Sequence, residues 1–149
     1  LVGSEMCIRD SISTAKEAAD LHTNVFAQYV IHDYLMHNEL DEHLTKIREL
    51  YRSQARAMVD AMKEFFPYGV EFTIPEGGMF LWVTLPEGIF AMDLFDKALE
   101  QNVAFVPGDP FYAEGGKRST LRLNFTNADE ETIRSGIKRL AEVIEAELA

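Results

Sequence analysis

Between residues 41 and 66 the apolar side chains Leu44, Ile47, Tyr51, Ala55, Met58, Met62 and Phe65 recur at gaps of three or four. That period predicts one long helix with a single buried face. Asp41 stands where an N-cap belongs, and Pro67 with Gly69 ends the segment. Upstream, Thr14-Ala15-Lys16-Glu17 fits a capping box that opens a helix running towards Met36, broken near His22-Thr23-Asn24 and stopped at Asn38. In its second half Val25, Phe26, Tyr29, Val30 and Leu35 give a broad apolar face. After Gly69 the period changes to two: Val70, Phe72 and Ile74 alternate with Glu71 and Thr73, the signature of a half-buried strand. Met79 to Leu85 is apolar on both parities apart from Thr84, which predicts a central strand covered on both sides.

Met92 to Gln101 reads as a helix burying Leu94, Phe95, Ala98 and Leu99, and Val103 to Val106 as a short strand. Ala113 to Thr120 is polar and glycine-rich, a loop expected to be mobile. Leu121 to Phe125 is another strand, and Asn127-Ala128-Asp129-Glu130 caps a last helix with Ile133, Ile137, Leu140, Ile144 and Leu148 on its inner face. Two long helices followed by strand, strand, helix, strand, strand and helix predict an α+β unit, a small sheet with helices packed on it.

Composition narrows the function classes. The chain has 149 residues, 47% of them hydrophobic, enough for one sizeable core. No apolar run approaches the roughly 20 residues that span a bilayer. A formal net charge of −11 argues against a direct nucleic-acid surface, and any anionic ligand needs a local cation to hold it. The single cysteine, Cys7, has no internal partner, which fits a reducing cytoplasm. Residues 1–12 show no clean period and no secretory pattern, and are read as a non-native leader.

Few residues stand out for chemistry. Alternation places Leu121, Leu123 and Phe125 on one strand face, with Arg122 and Asn124 on the other. A guanidinium on a strand is rigidly based and matches a carboxylate through two parallel hydrogen bonds. The competing reading is a solvated edge arginine paired with a surface acid. Gly77 and Gly78 permit positive φ and close approach of a ligand to backbone, or else form a plain hairpin turn. Phe80 and Trp82, which follow them, read as core. In Val106-Pro107-Gly108-Asp109-Pro110-Phe111-Tyr112 two prolines stiffen a loop whose aromatic pair either covers an apolar substrate group or belongs to a surface turn. His22, His32, His37 and His43 show no metal-ligand spacing, and no metal site is expected.

Taken in order, Gly77-Gly78-Met79-Phe80, Val106-Pro107-Gly108 and Arg122-Leu123-Asn124-Phe125 resemble the small domain of class I/II pyridoxal-phosphate aminotransferases of fold type I, and the 2-aminoadipate type in particular. Leu21-His22-Thr23-Asn24 resembles a segment of that family's large domain near its dimer interface. The resemblance implies that residues 13–38 end the large cofactor-binding domain, 39–66 form the inter-domain helix, and 67–149 are the small domain. It implies Arg122 as the anchor of the substrate's α-carboxylate, with Gly77, Gly78 and Asn124 close to the substrate. It also implies an α-amino acid and a 2-oxo acid as substrates, a homodimer, and pyridoxal 5′-phosphate held mainly by a segment upstream of Ser13. The Schiff-base lysine of the family is not recognisable here, so the chain reads as the carboxyl-terminal portion of an enzyme, inactive alone. A second class shares these strings: regulators that join a winged-helix DNA reader to an aminotransferase-like effector domain.

Overall fold

The computed structural model describes residues 2–115 and 118–148, which fall into two compact units, Leu1–His43 and Leu44–Ala149. The first unit holds helices α1 (Val2–Asp20) and α2 (Val25–His37) and the start of α3 (Leu40–Phe65). Helix α1 corrects one expectation. It runs unbroken through residues that lack a helical period, and Thr14 lies in its interior, donating its hydroxyl to the Asp10 carbonyl at 3.0 Å instead of capping a new start. No proline interrupts this stretch, and extending an existing helix costs far less than nucleating one.

The predicted break at residues 22–24 is real. Leu21 turns to φ 55°, and Asn24 caps α2 by accepting from the Ala27 amide at 3.0 Å. Asn38 is the C-cap, as its position suggested. Helix α2 has no buried residue: Phe26, Tyr29 and Val30 are all exposed.

Helix α3 begins at Leu40, so Asp41 occupies its first turn, where a carboxylate favours the positive helix end without being the cap. Its predicted stripe is the inward face, with Met58 and Met62 fully in the core beside Val59 and Ala61. Gln54 is buried among them and donates to the Ala128 carbonyl at 2.6 Å.

Four antiparallel strands follow in the spatial order β1-β2-β4-β3: β1 (Glu71–Phe72), β2 (Phe80–Thr84), β3 (Val106–Pro107) and β4 (Thr120–Asn124). Strand β1 is shorter than its alternation predicted. At Thr73 the side-chain hydroxyl, not the backbone, accepts from the Trp82 amide at 3.0 Å, and Ile74 beyond it is exposed. Helix α4 (Ala91–Glu100) connects β2 to β3, and α5 (Glu130–Leu148) closes the chain behind its Asp129 cap. The Ala91 amide of α4 is tied to the Arg118 carbonyl at 2.9 Å, although Phe90 brings no capping side chain.

Strand parity divides the sheet. Leu81 and Val83 pair with Leu123 and Leu121, and these four join Met62, Leu94, Leu140 and Ile144 in one core under α3, α4 and α5. The other parity, Phe80, Trp82 and Thr84 opposite Asn124, Arg122 and Thr120, is exposed or half-buried. Strand β2 is therefore central, but only alternate residues, Leu81 and Val83, are buried, against the sequence expectation of a strand covered on both sides.

Candidate functional site

The less buried face centres on Arg122. It stands directly across from Trp82 on β2 and Val106 on β3, so neighbours on both sides fix its backbone. Its guanidinium carbon lies 4.1 Å from the centre of the Phe80 ring and 4.9 Å from that of Phe111, both within cation–π range. Its Nε is buried without a hydrogen-bond partner. Among the described residues no carboxylate pairs with it.

Phe80, Phe105, Val106, Arg122 and Asn124 line a shallow cavity of about 160 Å³. The side-chain oxygen of Asn124 already accepts from the Thr126 amide at 2.7 Å and from its hydroxyl at 2.9 Å. What Asn124 has left to offer a ligand is its amide nitrogen.

The loop between β3 and β4 folds over this face. Gly108 donates to the Thr120 carbonyl at 2.7 Å, and a Cβ at Gly108 would lie 2.0 Å from the Thr120 hydroxyl oxygen. Only glycine permits that approach. A short helical turn, Asp109–Phe111, then directs Phe111 edge-on to Trp82, ring centres 5.5 Å apart. Tyr112 carries the Arg118 guanidinium on its ring at 4.4 Å and accepts from the Thr120 hydroxyl at 3.4 Å. Asp109 accepts from the Arg118 amide at 3.3 Å, and Ser119 from the Leu85 amide at 2.7 Å. The described flanks of the loop expected to be mobile are thus tied down, while Gly116 and Lys117 lie outside the described residues.

Gly77 and Gly78 sit in the turn before β2. Gly78 has φ +82°, the conformation for which glycine is suited, and neither glycine has an atom within 4 Å of where a Cβ would project. They line a different and larger cavity, about 820 Å³, walled by Arg48, Arg52 and Arg56 of α3 and by Phe125. Arg122 and Asn124 therefore share one cavity and the two glycines another, with Phe80 two residues beyond Gly78. Sequence reading placed Phe80 and Trp82 in the core. Both belong to the less buried face, and the usable signal was parity: they share the register of Arg122, whereas Leu81 and Val83 share that of Leu121 and Leu123.

An antiparallel sheet backed by three helices, with one arginine set against two aromatic rings on its less buried face, defines an α+β domain. The sequence profile of the family "Aminotransferase class I and II" matches residues 11–140. The chain belongs to that family. It is 48% identical over 92% of its length to aromatic-amino-acid aminotransferase 1 of Thermococcus litoralis, and 45% identical over 91% to 2-aminoadipate transaminase of Thermus thermophilus. A solved kynurenine aminotransferase of Pyrococcus horikoshii superposes on 95% of the chain with a TM-score of 0.85 at 47% identity, covering 35% of its own chain. More distantly, the HTH-type transcriptional regulator NorG of Staphylococcus aureus is 24% identical over 94% of the chain. The chain spans about a third of the length of these curated relatives, 33% and 34% for the first two.

The family implies pyridoxal phosphate, and the cavity at Arg122 does not fit it. That cavity has one cation, no lysine and no helix N-terminus to receive a phosphate ester. The lysines of the described residues stand on helices, Lys16 paired with Asp20 and Lys97 with Glu147. The donor set at Arg122 suits a carboxylate.

Proposed function

We propose that this chain is the carboxyl-terminal part of a transaminase, moving an amino group from an α-amino acid to a 2-oxo acid, and that Arg122 anchors the carboxylate common to both substrates. The observation that carries this is Arg122 itself: a strand-borne cation, free of acidic partners among the described residues, on the less buried face of the sheet. Relatives that are 45% or more identical bear transaminase names, whereas the regulator is far more distant, which favours the enzyme over the effector-domain reading.

In this reading Arg122 holds the substrate by two parallel hydrogen bonds, and Asn124 donates from the side. The sheet fixes where the α-carbon lies relative to that anchor, and the aromatic loop excludes water from the pair. Pyridoxal phosphate, bound by residues outside this stretch, supplies the electron sink. Gly77 and Gly78 shape the neighbouring cavity. The parent works in the cytoplasm as a homodimer, and the exposed apolar side chains of α2, Phe26, Tyr29 and Val30 among them, support a surface covered within that assembly.

Expression of the longer gene product tests the function. With pyridoxal phosphate, an aromatic amino acid or 2-aminoadipate, and 2-oxoglutarate as acceptor, it forms the corresponding 2-oxo acid and glutamate. Absence of glutamate formation across a panel of amino acids, together with specific DNA binding, would establish the regulator reading in its place.

A further inference from the structure

We propose that Phe80 and Phe111 are positioning residues for Arg122: the two rings grip its guanidinium and leave the Nη edge as the donor edge offered to a ligand. The inference rests on the reading of Arg122 as a carboxylate anchor. Three observations carry it. Both rings lie within cation–π distance of the same guanidinium carbon, at 4.1 and 4.9 Å. The Nε is buried and unpartnered, so a ligand arriving from the open side meets the Nη groups. Phe111 does not stand alone, since Trp82, the direct cross-strand neighbour of Arg122, packs edge-on against it with centres 5.5 Å apart.

The physical consequence is preorganisation. A free arginine samples many rotamers, and a ligand that selects one of them loses that entropy on binding. With the guanidinium plane set in advance, less is lost, and a planar carboxylate meets two donors already parallel. Phe80 arrives from the strand beside Arg122, whereas Phe111 arrives from the loop after β3. The orientation of the cation is therefore coupled to the seating of that loop on Gly108 and Thr120. Phe80 is 39% exposed and Phe111 50%, so neither owes its place to the core.

The test uses the longer gene product with its cofactor bound and butanoate as a probe, a monocarboxylate with no ring of its own to contact the phenylalanines. Phe80→Met and Phe111→Met keep an apolar side chain of similar reach and remove the ring, and Phe80→Tyr and Phe111→Tyr restore it. Butanoate affinity is measured by titration, and the Nε–H signal of Arg122 is followed in spectra of arginine-labelled protein, assigned by its loss in Arg122→Lys. Each Met variant is expected to weaken butanoate roughly fivefold and to move the Arg122 signal, through loss of the ring current and of the fixed plane. Each Tyr variant is expected to restore both. An unmoved signal and unchanged affinity in both Met variants, with Arg122→Lys still weakening butanoate, overturns the clamp and leaves the anchor standing. Unchanged butanoate affinity in Arg122→Lys overturns the anchor and the clamp with it.

Discussion

Replacing Gly108 by alanine probes the tightest backbone approach beside the candidate site. The glycine has φ −73° and ψ −19°, ordinary helical values that alanine adopts without strain. Any cost is therefore steric. The new Cβ would meet the Thr120 hydroxyl oxygen at 2.0 Å, the Thr120 carbonyl oxygen at 2.7 Å and the Thr120 Cβ at 3.0 Å. Rotation of the hydroxyl relieves the first contact. The carbonyl has no such freedom, because it accepts from the Gly108 amide at 2.7 Å and belongs to β4, paired with Thr84 of β2. Overpacking of this kind costs roughly 1–3 kcal/mol, and the rigid backbone wall argues for the upper half of that range. Urea and thermal melts of the wild type, Gly108→Ala, Thr120→Ala and the double variant measure it. A lowered urea midpoint and a Tm several degrees lower are expected for Gly108→Ala. Thr120→Ala in the same chain should recover only part of the loss, since the carbonyl remains. A loss below about 0.5 kcal/mol, the scatter of neutral surface changes, or complete rescue by Thr120→Ala, would refute the assignment of this glycine to a backbone contact.

Two further outcomes follow from the packing and the caps. Leu140 is 0% exposed and Leu148 46%, although both lie on the same predicted stripe of α5; Leu140→Ala should cost about 2–5 kcal/mol in urea melts, and Leu148→Ala close to nothing. The Thr132 amide and hydroxyl hold the Asp129 carboxyl below its usual range. A depressed pKa means that the cap stabilises α5 above the unfolded value near 4 and that this contribution is lost as pH falls through the folded value. Asp129→Asn keeps a capping oxygen but does not titrate, so its Tm should fall less steeply than the wild type on acidification below about pH 4; parallel slopes would contradict the assignment.

Local periodicity explains what was legible. The three-and-four spacing of α3 and α5 placed Met58, Met62, Ile133, Ile137, Leu140 and Ile144 correctly in the core, and alternation in β4 put Arg122 opposite the leucines. The errors share one physical origin, because a pattern says which residues are apolar and not what they meet. Phe80 and Trp82 are apolar and so read as core, yet they flank a cation on the less buried sheet face. The strand order inserts β4 between β2 and β3, a long-range pairing that no local window contains. The seat of Phe111 over Arg122 depends on Gly108 meeting Thr120, residues twelve apart in the chain that are joined only by the fold.

The anchor itself is tested most directly by comparing the wild type and Arg122→Ala in the longer gene product, measuring amino-acid affinity and bound pyridoxal phosphate side by side. Loss of a charged, two-point carboxylate contact predicts amino-acid binding weakened at least about tenfold, with cofactor content unchanged. Unchanged amino-acid affinity in Arg122→Ala would contradict the account.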